Sequence, residues 1–314
     1  MTHRFLAAAA ALALVPAALA QQAPPSPGEI VGAAPAADWV AVPPDDLLVM
    51  DLAPDRAGKD RRIVIQLMPA PFSQGWIGNI RKLAAAHWWD GMAVTRVQDN
   101  YVAQWGDPDG EDAAKAKPLP GGLATMPEHA YLVPAERLPL RDPAPGEAGE
   151  GRRDPYAAST GFFSGWPMAF DRDHRWPVHC YGAVGVGRNF SPDTGSGAEL
   201  YAVIGHAPRH LDRNIALVGR VVSGIEHLSS LPRGTGALGF YENPAERVPI
   251  RAIRLASDLP PTEQPRFEYL STESDSFARY SDARANRRDP FFIAPAGGAD
   301  ICNIPVPVRA AGAK

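Results

Sequence analysis

Residues 94–107 constrain the fold of this chain most, because their pattern indicates two short β-strands joined by a bend at residues 99–100. Arg96, Tyr101 and Gln104 can share one face of such a strand pair, which would place a planar cation and an amide beside apolar surface. An edge hairpin with a solvated arginine would show the same pattern. The segment alone therefore leaves two interpretations open, a purely structural hairpin and a hairpin that carries a functional arginine.

Proline and glycine occur along the whole chain, with 33 and 29 residues respectively among 314. Such frequent turn formers favour many short strands and loops over long helices. The formal net charge is -4, and the sequence has no lysine and arginine cluster of the kind that binds nucleic acid. Together with 45% hydrophobic residues, these features predict a soluble globular protein without a nucleic-acid partner.

The first 20 residues have the pattern of a cleaved secretory signal peptide. His3 and Arg4 form a short positive region, residues 5–14 are apolar, and residues 18–20 (Ala-Leu-Ala) give a small-x-small cleavage site. The apolar run is too short for a membrane helix, which needs about 18 or more apolar residues. We therefore predict export into a bacterial periplasm, with no stable membrane span after the signal is removed.

Composition sets both ends of the mature chain apart from the middle. Residues 21–44 are rich in proline and alanine, and we predict a mobile leader there. Residues 258–314 form a C-terminal extension that starts with a proline-rich linker. Within it, residues 274–288 predict a short amphipathic helix with Phe277 and Tyr280 on one side.

The two cysteines, Cys180 and Cys302, are predicted to form a disulfide. An oxidising compartment favours this pairing, and no cluster of histidine and cysteine ligands competes for the sulfurs. The alternative is a pair of separately buried free thiols. A disulfide would attach the C-terminal extension to the middle of the chain.

Patterns typical of other enzyme classes are incomplete in this chain. Gly185 and Gly187 follow a strand-like segment, but Phe190 occupies the third position of a dinucleotide-binding fingerprint and no helical pattern follows. His206 and His210 have the spacing of a metal pair on a helix, but the proline between them disfavours that helix. The Gly-x-Ser-x-Gly elbow of serine hydrolases does not occur. We therefore predict neither a metal nor an organic cofactor.

Arg96, Tyr101, Gln104, Gly106 and Asp107 resemble the signature of the cyclophilin family, in which an arginine precedes an aromatic, an aliphatic, a glutamine and a Gly-Asp turn at fixed spacing. Further segments resemble the family in the same chain order. They lie at residues 63–67 with 79–83, at 182–187, at 199–204, and at 211–212 with 218–222. The resemblance covers residues 45–257, with a long loop insertion at about 111–175 where the family usually has a shorter loop.

The resemblance implies an all-β fold, a closed eight-stranded antiparallel barrel capped by two helices. The first of these helices falls in residues 72–89, where Trp76, Ile80 and Leu83 share one helical face and would point at the barrel end. Closure of the sheet would remove exposed strand edges. The insertion and the C-terminal extension would be additions to this barrel.

The resemblance also implies a peptidyl-prolyl cis-trans isomerase acting on proline-containing polypeptides. Rotation about an X–Pro bond costs about 18–20 kcal/mol, because the partial double bond of the amide must be broken. The twisted amide frees the lone pair of its nitrogen, which can then accept a hydrogen bond. By resemblance, Arg96 would be the catalytic donor to that nitrogen and Gln104 would orient it. No bond is made or cut, so neither a metal nor a cofactor is needed.

The remaining site residues follow from the same resemblance. Tyr101, Val102, Tyr201 and Leu217 would form the pocket for the proline ring, and His210 would lie on its rim where many members have a tryptophan. Glu199 occupies a position usually held by glutamine, if one residue is inserted after it. Its carboxylate could orient Arg96, or could occupy the guanidinium as an ion pair.

Departures from the family pattern keep a second function open. Thr95 and Ile215 stand where histidines are usual, and Glu199 replaces a glutamine. A catalytically weak barrel could bind proline-containing segments as a chaperone or scaffold with little turnover. In either case we expect a monomer.

Overall fold

The computed structural model of the protein describes residues 23–110, 112–138 and 154–312. The predicted signal peptide at residues 1–20 lies outside the described residues. The α-helices in the described part are α1 (Pro27–Gly32), α2 (Gln74–Ala85), α3 (Glu226–Ser229) and α4 (Asp275–Ala285). None of them is long and apolar enough to cross a membrane.

The strands of the described residues are short, as the density of proline and glycine predicts. In chain order they are β1 (Trp39–Ala41), β2 (Leu47–Leu52), β3 (Arg61–Leu67), β4 (Ala93–Val97), β5 (Val102–Gly106), β6 (Val133–Pro134), β7 (Ser159–Phe163), β8 (Trp166–Phe170), β9 (His174–Pro177), β10 (Ala183–Val186), β11 (Leu200–Val203), β12 (Leu217–Ser223), β13 (Val248–Leu255), β14 (Phe267–Leu270) and β15 (Val308–Ala310).

Eight strands close into an antiparallel barrel in the order β10, β11, β5, β4, β13, β2, β3, β12, which confirms the predicted fold. The ring closes where β12 pairs with β10, with Val184 opposite Gly219. Because each barrel strand has a neighbour on both sides, the backbone groups along its edges are paired. The barrel gives the hairpin of β4 and β5 a rigid support.

Successive residues of β2 and β3 face opposite sides of the barrel wall. Met50 and Ile63 face each other across the pair and belong to the main core. Val49 and Val64, one residue along each strand, belong to a second apolar cluster on the other face. Both faces are therefore buried, which matches the nearly continuous apolar runs in the sequence.

Helix α2 closes one end of the barrel, as predicted. Trp76, Ile80 and Leu83 are almost completely buried in the main core. The indole Nε1 of Trp76 also donates to the carbonyl of Thr194 at 3.1 Å, which fixes the helix against the loop before β11. The second cap is only the single turn α3, which contributes the fully buried Leu228 to the same core.

The insertion, predicted as a long loop, contains a sheet of its own. Strands β6, β9, β8 and β7 form a four-stranded antiparallel sheet in that order. Tyr131 lies in the short helical turn at residues 128–131, and Phe162 lies in β7. Trp166 and Met168 of β8 are buried in the main core, so the sheet packs on the barrel.

The mobile-leader prediction for residues 21–44 is wrong for the part that the structure describes. Helix α1 begins with a capping box between Ser26 and Glu29, and β1 pairs with β14 in a sheet completed by β15. Ile30 and Trp39 are buried against Leu270, at the end of β14, and against α4. The leader is ordered because the C-terminal extension provides a partner for its apolar residues.

The predicted helix and disulfide of the C-terminal extension are both confirmed. Helix α4 begins after Ser274, whose hydroxyl accepts a hydrogen bond from the backbone N–H of Phe277. Cys180 and Cys302 are bonded, with their Cα atoms 5.1 Å apart. This bond attaches the extension to the segment between β9 and β10.

Candidate active site

The hairpin of β4 and β5 brings Arg96 and Gln104 together. The two residues are partners in the strand register, next to an irregularity between Val94 and Arg96. Nη1 of Arg96 donates to Oε1 of Gln104 at 3.1 Å, within the reach expected from the sequence. Nε donates to the carbonyl oxygen of Leu238 at 2.7 Å, and Nη2 donates to Oε1 of Gln98. These acceptors are all uncharged, so the guanidinium is oriented without being neutralised.

Two aromatic rings lie close to this guanidinium. The Cζ atom of Arg96 is 5.6 Å from the ring centre of Tyr101 and 5.4 Å from that of Phe240. Desolvation by the surrounding residues lowers the pKa of Arg96, while Tyr101 opposes this effect. An arginine nevertheless stays protonated in proteins at physiological pH. The site therefore holds a fixed positive charge on a partly apolar surface.

The loop that contributes Leu238 and Phe240 was missed in the sequence. It is attached to β4 by backbone hydrogen bonds from Gly234 to Val97 and from Tyr241 to Thr95, each 3.0 Å long. These bonds hold Leu238 and Phe240 beside Arg96, although the two side chains are 66% and 40% exposed.

A glycine in this loop allows its close approach to β4. Gly239 has a φ of +81°, and a Cβ there would lie 2.7 Å from the Cα of Gln98. Only glycine fits such a position without displacing backbone. The repeated glycines at 234, 236 and 239 were the available signal for a constrained loop, but they do not reveal which strand the loop contacts.

Tyr101, predicted to line the proline pocket, and His210, predicted to lie on its rim, are close together in the structure. Their rings are nearly parallel, with an interplanar angle of 13° and a centroid separation of 6.2 Å. Tyr101 is partly buried, and His210 is exposed on the short helical turn at residues 209–211. Burial raises the pKa of the Tyr101 hydroxyl, and the charge of Arg96 opposes that shift.

Tyr201 and Val102 lie beneath this surface and contribute little open area to it. Tyr201 is the register partner of Gln104 but is only 5% exposed, and Val102 belongs to the main core. Burial raises the pKa of Tyr201 well above its usual value, and the nearby Tyr101 hydroxyl adds to this effect. The Tyr201 hydroxyl lies 3.0 Å from Nε2 of His179.

His179 begins a buried polar chain that the sequence did not reveal. Its Nδ1 lies 2.9 Å from Oδ1 of Asp212, and the other oxygen of Asp212 accepts from Nε of Arg209 at 2.6 Å. Arg209 also makes two bonds to Asp154, in the insertion. The chain gives the extra hydroxyl of Tyr201 a partner, which satisfies a buried polar group that phenylalanine would not have.

The structure places Glu199 away from the guanidinium, which corrects the expectation that it orients or occupies Arg96. Oε1 of Glu199 accepts a hydrogen bond from the backbone N–H of Asp107 at 2.8 Å. The carboxylate fills the space beside Gly106, where a Cβ would lie 1.9 Å from the same oxygen. Among the described residues, no carboxylate lies within ion-pair distance of Arg96. Glu199 thus supports the turn after β5.

Leu217 is the other predicted site residue that lies elsewhere. It is buried in β12 and lines a cavity between the barrel and the C-terminal extension. Thr95, at a position where histidine was expected, is buried, and its carbonyl accepts the bond from Tyr241 that attaches the glycine-rich loop.

The assembled group can donate hydrogen bonds to a polypeptide bound beside the aromatic surface. A guanidinium carries five N–H donors in one plane. The contacts of Arg96 to Gln104, Gln98 and Leu238 use three of them, which leaves donors for a carbonyl oxygen or an amide nitrogen of a ligand. An apolar ring can lie against Tyr101 at the same time.

Comparisons with known proteins bear on the family and the fold. Residues 57–255, more than half of the chain, match the sequence model of the family described as cyclophilin type peptidyl-prolyl cis-trans isomerase/CLD. The crystal structure of cyclophilin AquaCyp293 from Hirschia baltica has a TM-score of 0.63 and 21% sequence identity, over 88% of this chain and 95% of that chain. This likeness shows the fold.

Two further structures are more distant. Cyclophilin type peptidyl-prolyl cis-trans isomerase from Cryptosporidium parvum gives a TM-score of 0.39 at 11% identity, over 67% of this chain and 97% of that one. The same Cryptosporidium protein in the presence of the dipeptide Ala-Pro gives 0.36 at 10% identity, over 66% and 98%. No curated protein matches the chain.

Proposed function

The chain belongs to the family of cyclophilin-type peptidyl-prolyl cis-trans isomerases, and on this premise we propose that Arg96 is the residue that accelerates rotation about X–Pro bonds in exported proteins. The observation that carries the proposal is the contact of the Arg96 guanidinium with the uncharged side chain of Gln104, beside an aromatic surface. A free N–H of Arg96 would donate to the prolyl nitrogen when the amide is twisted. That bond is unavailable in either planar form, so it stabilises the transition state selectively.

The other residues of the group have distinct parts in this mechanism. Gln104 and Gln98 position the guanidinium through their side-chain oxygens, and Leu238 positions it through its backbone carbonyl. Tyr101 offers a face for the proline ring, with His210 stacked beside it at the rim. Because the donor is already oriented before substrate binds, little reorganisation is needed in the reaction.

The first test is the rate of prolyl exchange in a short Ala-Pro-Phe peptide, with and without the protein. Without a catalyst the exchange takes on the order of tens to hundreds of seconds. We expect the protein to accelerate it at catalytic concentrations, in proportion to the amount added. An unchanged rate, together with measurable binding of the peptide, would support the alternative function of a chaperone or scaffold that binds proline-containing segments.

We also propose that the protein works in the periplasm after its signal peptide is cleaved. The disulfide between Cys180 and Cys302 supports this location, because such bonds persist in oxidising compartments. Expressed with its natural N-terminus in a Gram-negative bacterium, the protein should appear in the periplasmic fraction with Gln21 as its first residue. N-terminal sequencing checks this expectation, and an uncleaved chain retained in the cytosol would contradict it.

A further inference from the structure

The cavity lined by Leu217, between the barrel and the C-terminal extension, has a volume of about 340 Å³. Its walls come from β12, from the insertion at Trp166 and Pro167, and from the extension between Ile301 and Val308. The disulfide of Cys180 and Cys302 forms part of the lining. The residues that line the cavity do not include Arg96, Gln104, Gln98, Tyr101 or Phe240. Its volume lies within the range of about 300–1,000 Å³ typical of small-molecule sites.

Arg220 is the one charged residue among the described residues that line this cavity. Its Nε and Nη2 donate to Oε1 of Gln66 at 2.9 and 2.7 Å, and Nη1 donates to the carbonyl of Gly165 at 2.6 Å. These acceptors are neutral, and no carboxylate of the described residues pairs with Arg220. A desolvated cation without a counter-charge is costly, which favours binding of an anion from outside the chain.

The surroundings of Arg220 keep it charged but poorly hydrated. Its Cζ atom lies 4.5 Å from the ring centre of Trp166 and 5.9 Å from that of Tyr269. Burial lowers the pKa of Arg220 to about 10, so the guanidinium still carries its charge at neutral pH. Electrostatic attraction to an anion is stronger at such a site than in water, because less solvent screens it.

Trp166 is the aromatic residue that lies against Arg220 in the wall of this cavity. The residue is 3% exposed, and its indole Nε1 has no hydrogen-bond partner. Buried polar groups in folded proteins nearly always have a partner, and an unpaired donor reduces stability. Trp166 lines the same cavity as Arg220, and the guanidinium lies over its ring.

We propose that this cavity binds a small apolar carboxylate. The carboxylate pairs with the guanidinium of Arg220, and the hydrocarbon part packs on the apolar walls formed by residues such as Val221, Ile304 and Val306. Planar guanidinium groups bind carboxylates with good geometry, and the bond is charge-assisted.

Isothermal titration with matched alkyl compounds tests the charge and the length of the ligand. We expect decanoate to bind the wild-type protein at one site. Octanoate should bind about sixteenfold more weakly, because each of its two missing methylenes contributes about fourfold. Decanol, which has the same chain without the charge, should bind at least about tenfold more weakly. Equal binding of decanoate and decanol, or no binding of decanoate, would overturn the proposal.

Three variants locate the site. Arg220→Gln should lose the preference for decanoate over decanol, whereas Arg172→Gln removes the same charge from an exposed position and should bind decanoate like wild type. Val306→Trp fills the cavity from the extension and should abolish binding while Arg220 stays in place. Unchanged affinity in Arg220→Gln or in Val306→Trp would overturn the proposal. Should Arg220→Gln fail to fold, Val306→Trp still decides the location.

Discussion

Replacing Cys180 and Cys302 together by serine should lower the free energy of unfolding by up to about 5 kcal/mol. The two cysteines are 122 residues apart, and in the chain-entropy model a crosslink over such a loop contributes about that amount. The loss acts mainly through the unfolded chain, which gains freedom when the crosslink is absent. The extension also loses its covalent attachment to the segment before β10, so α4, β14 and β15 should open more readily.

Thermal unfolding measures this effect. A loss of 5 kcal/mol corresponds to a fall of roughly 10–20 °C in a domain of this size. Wild-type protein treated with a reductant is the matched control, and it should unfold near the temperature of the double serine variant, which itself should not respond to the reductant. Prolyl exchange below the transition should persist, because Arg96 and Gln104 lie on barrel strands. A fall of less than about 2 °C would contradict the prediction.

The local sequence pattern was sufficient to predict the contact at the centre of the site. Arg96 and Gln104 lie on adjacent strands of one hairpin, so the spacing along the chain almost determines their contact. Helix α2 could also be predicted from local sequence, because the apolar positions Trp76, Ile80 and Leu83 repeat at helical spacing. In both cases the sequence within about fifteen residues contains the information that the structure uses.

Most of the structural features that local sequence did not predict depend on contacts between residues far apart in the chain. Trp39 pairs with Leu270 across two strands that are far apart in the chain, and no local pattern can reveal such a contact. The start of α1 does have a local sequence signal, because Ser26, Pro27 and Glu29 form a recognisable N-terminal capping pattern. The proline and alanine content of the leader concealed that signal.

Resemblance predicts positions better than side-chain directions. Glu199 precedes the first residue of β11, Leu200, and its side chain turns toward the backbone of Asp107 instead of toward Arg96. A position inferred from spacing cannot reveal this direction, especially next to an inserted residue. The same limit applies to Phe240, which reaches Arg96 from a loop more than a hundred residues away.

The buried chain from Tyr201 to Asp154 connects the site to the insertion. Arg209 bridges Asp212 and Asp154 through short hydrogen bonds, and His179 links Asp212 to the Tyr201 hydroxyl. Breaking such a buried network on one side leaves charges unpaired, which is strongly destabilising. Through this network the insertion supports the strand under Gln104.

Arg96→Ala should reduce kcat/KM for prolyl isomerisation by about 10²–10³, or about 2.7–4 kcal/mol, comparable to the loss of other single preorganised donors. The change removes the donor to the twisted amide nitrogen and leaves the aromatic surface of Tyr101. Stability should fall little, because backbone bonds from Gly234 and Tyr241 still attach the glycine-rich loop to β4. Arg96→Lys should recover only part of the rate, since a lysine keeps the charge but not the planar arrangement of donors.

Glu199→Gln is the matched control for this prediction, because it changes a nearby charge without touching the donor. Its side-chain oxygen can still accept the bond from the backbone of Asp107, as Glu199 does at 2.8 Å. We therefore expect kcat/KM to stay within about threefold of wild type. Equal, large losses in Glu199→Gln and Arg96→Ala would mean that the carboxylate acts on the reaction and that Arg96 is not the dominant group. Wild-type turnover in Arg96→Ala would exclude the mechanism altogether, because the mechanism assigns the donor role to Arg96 alone.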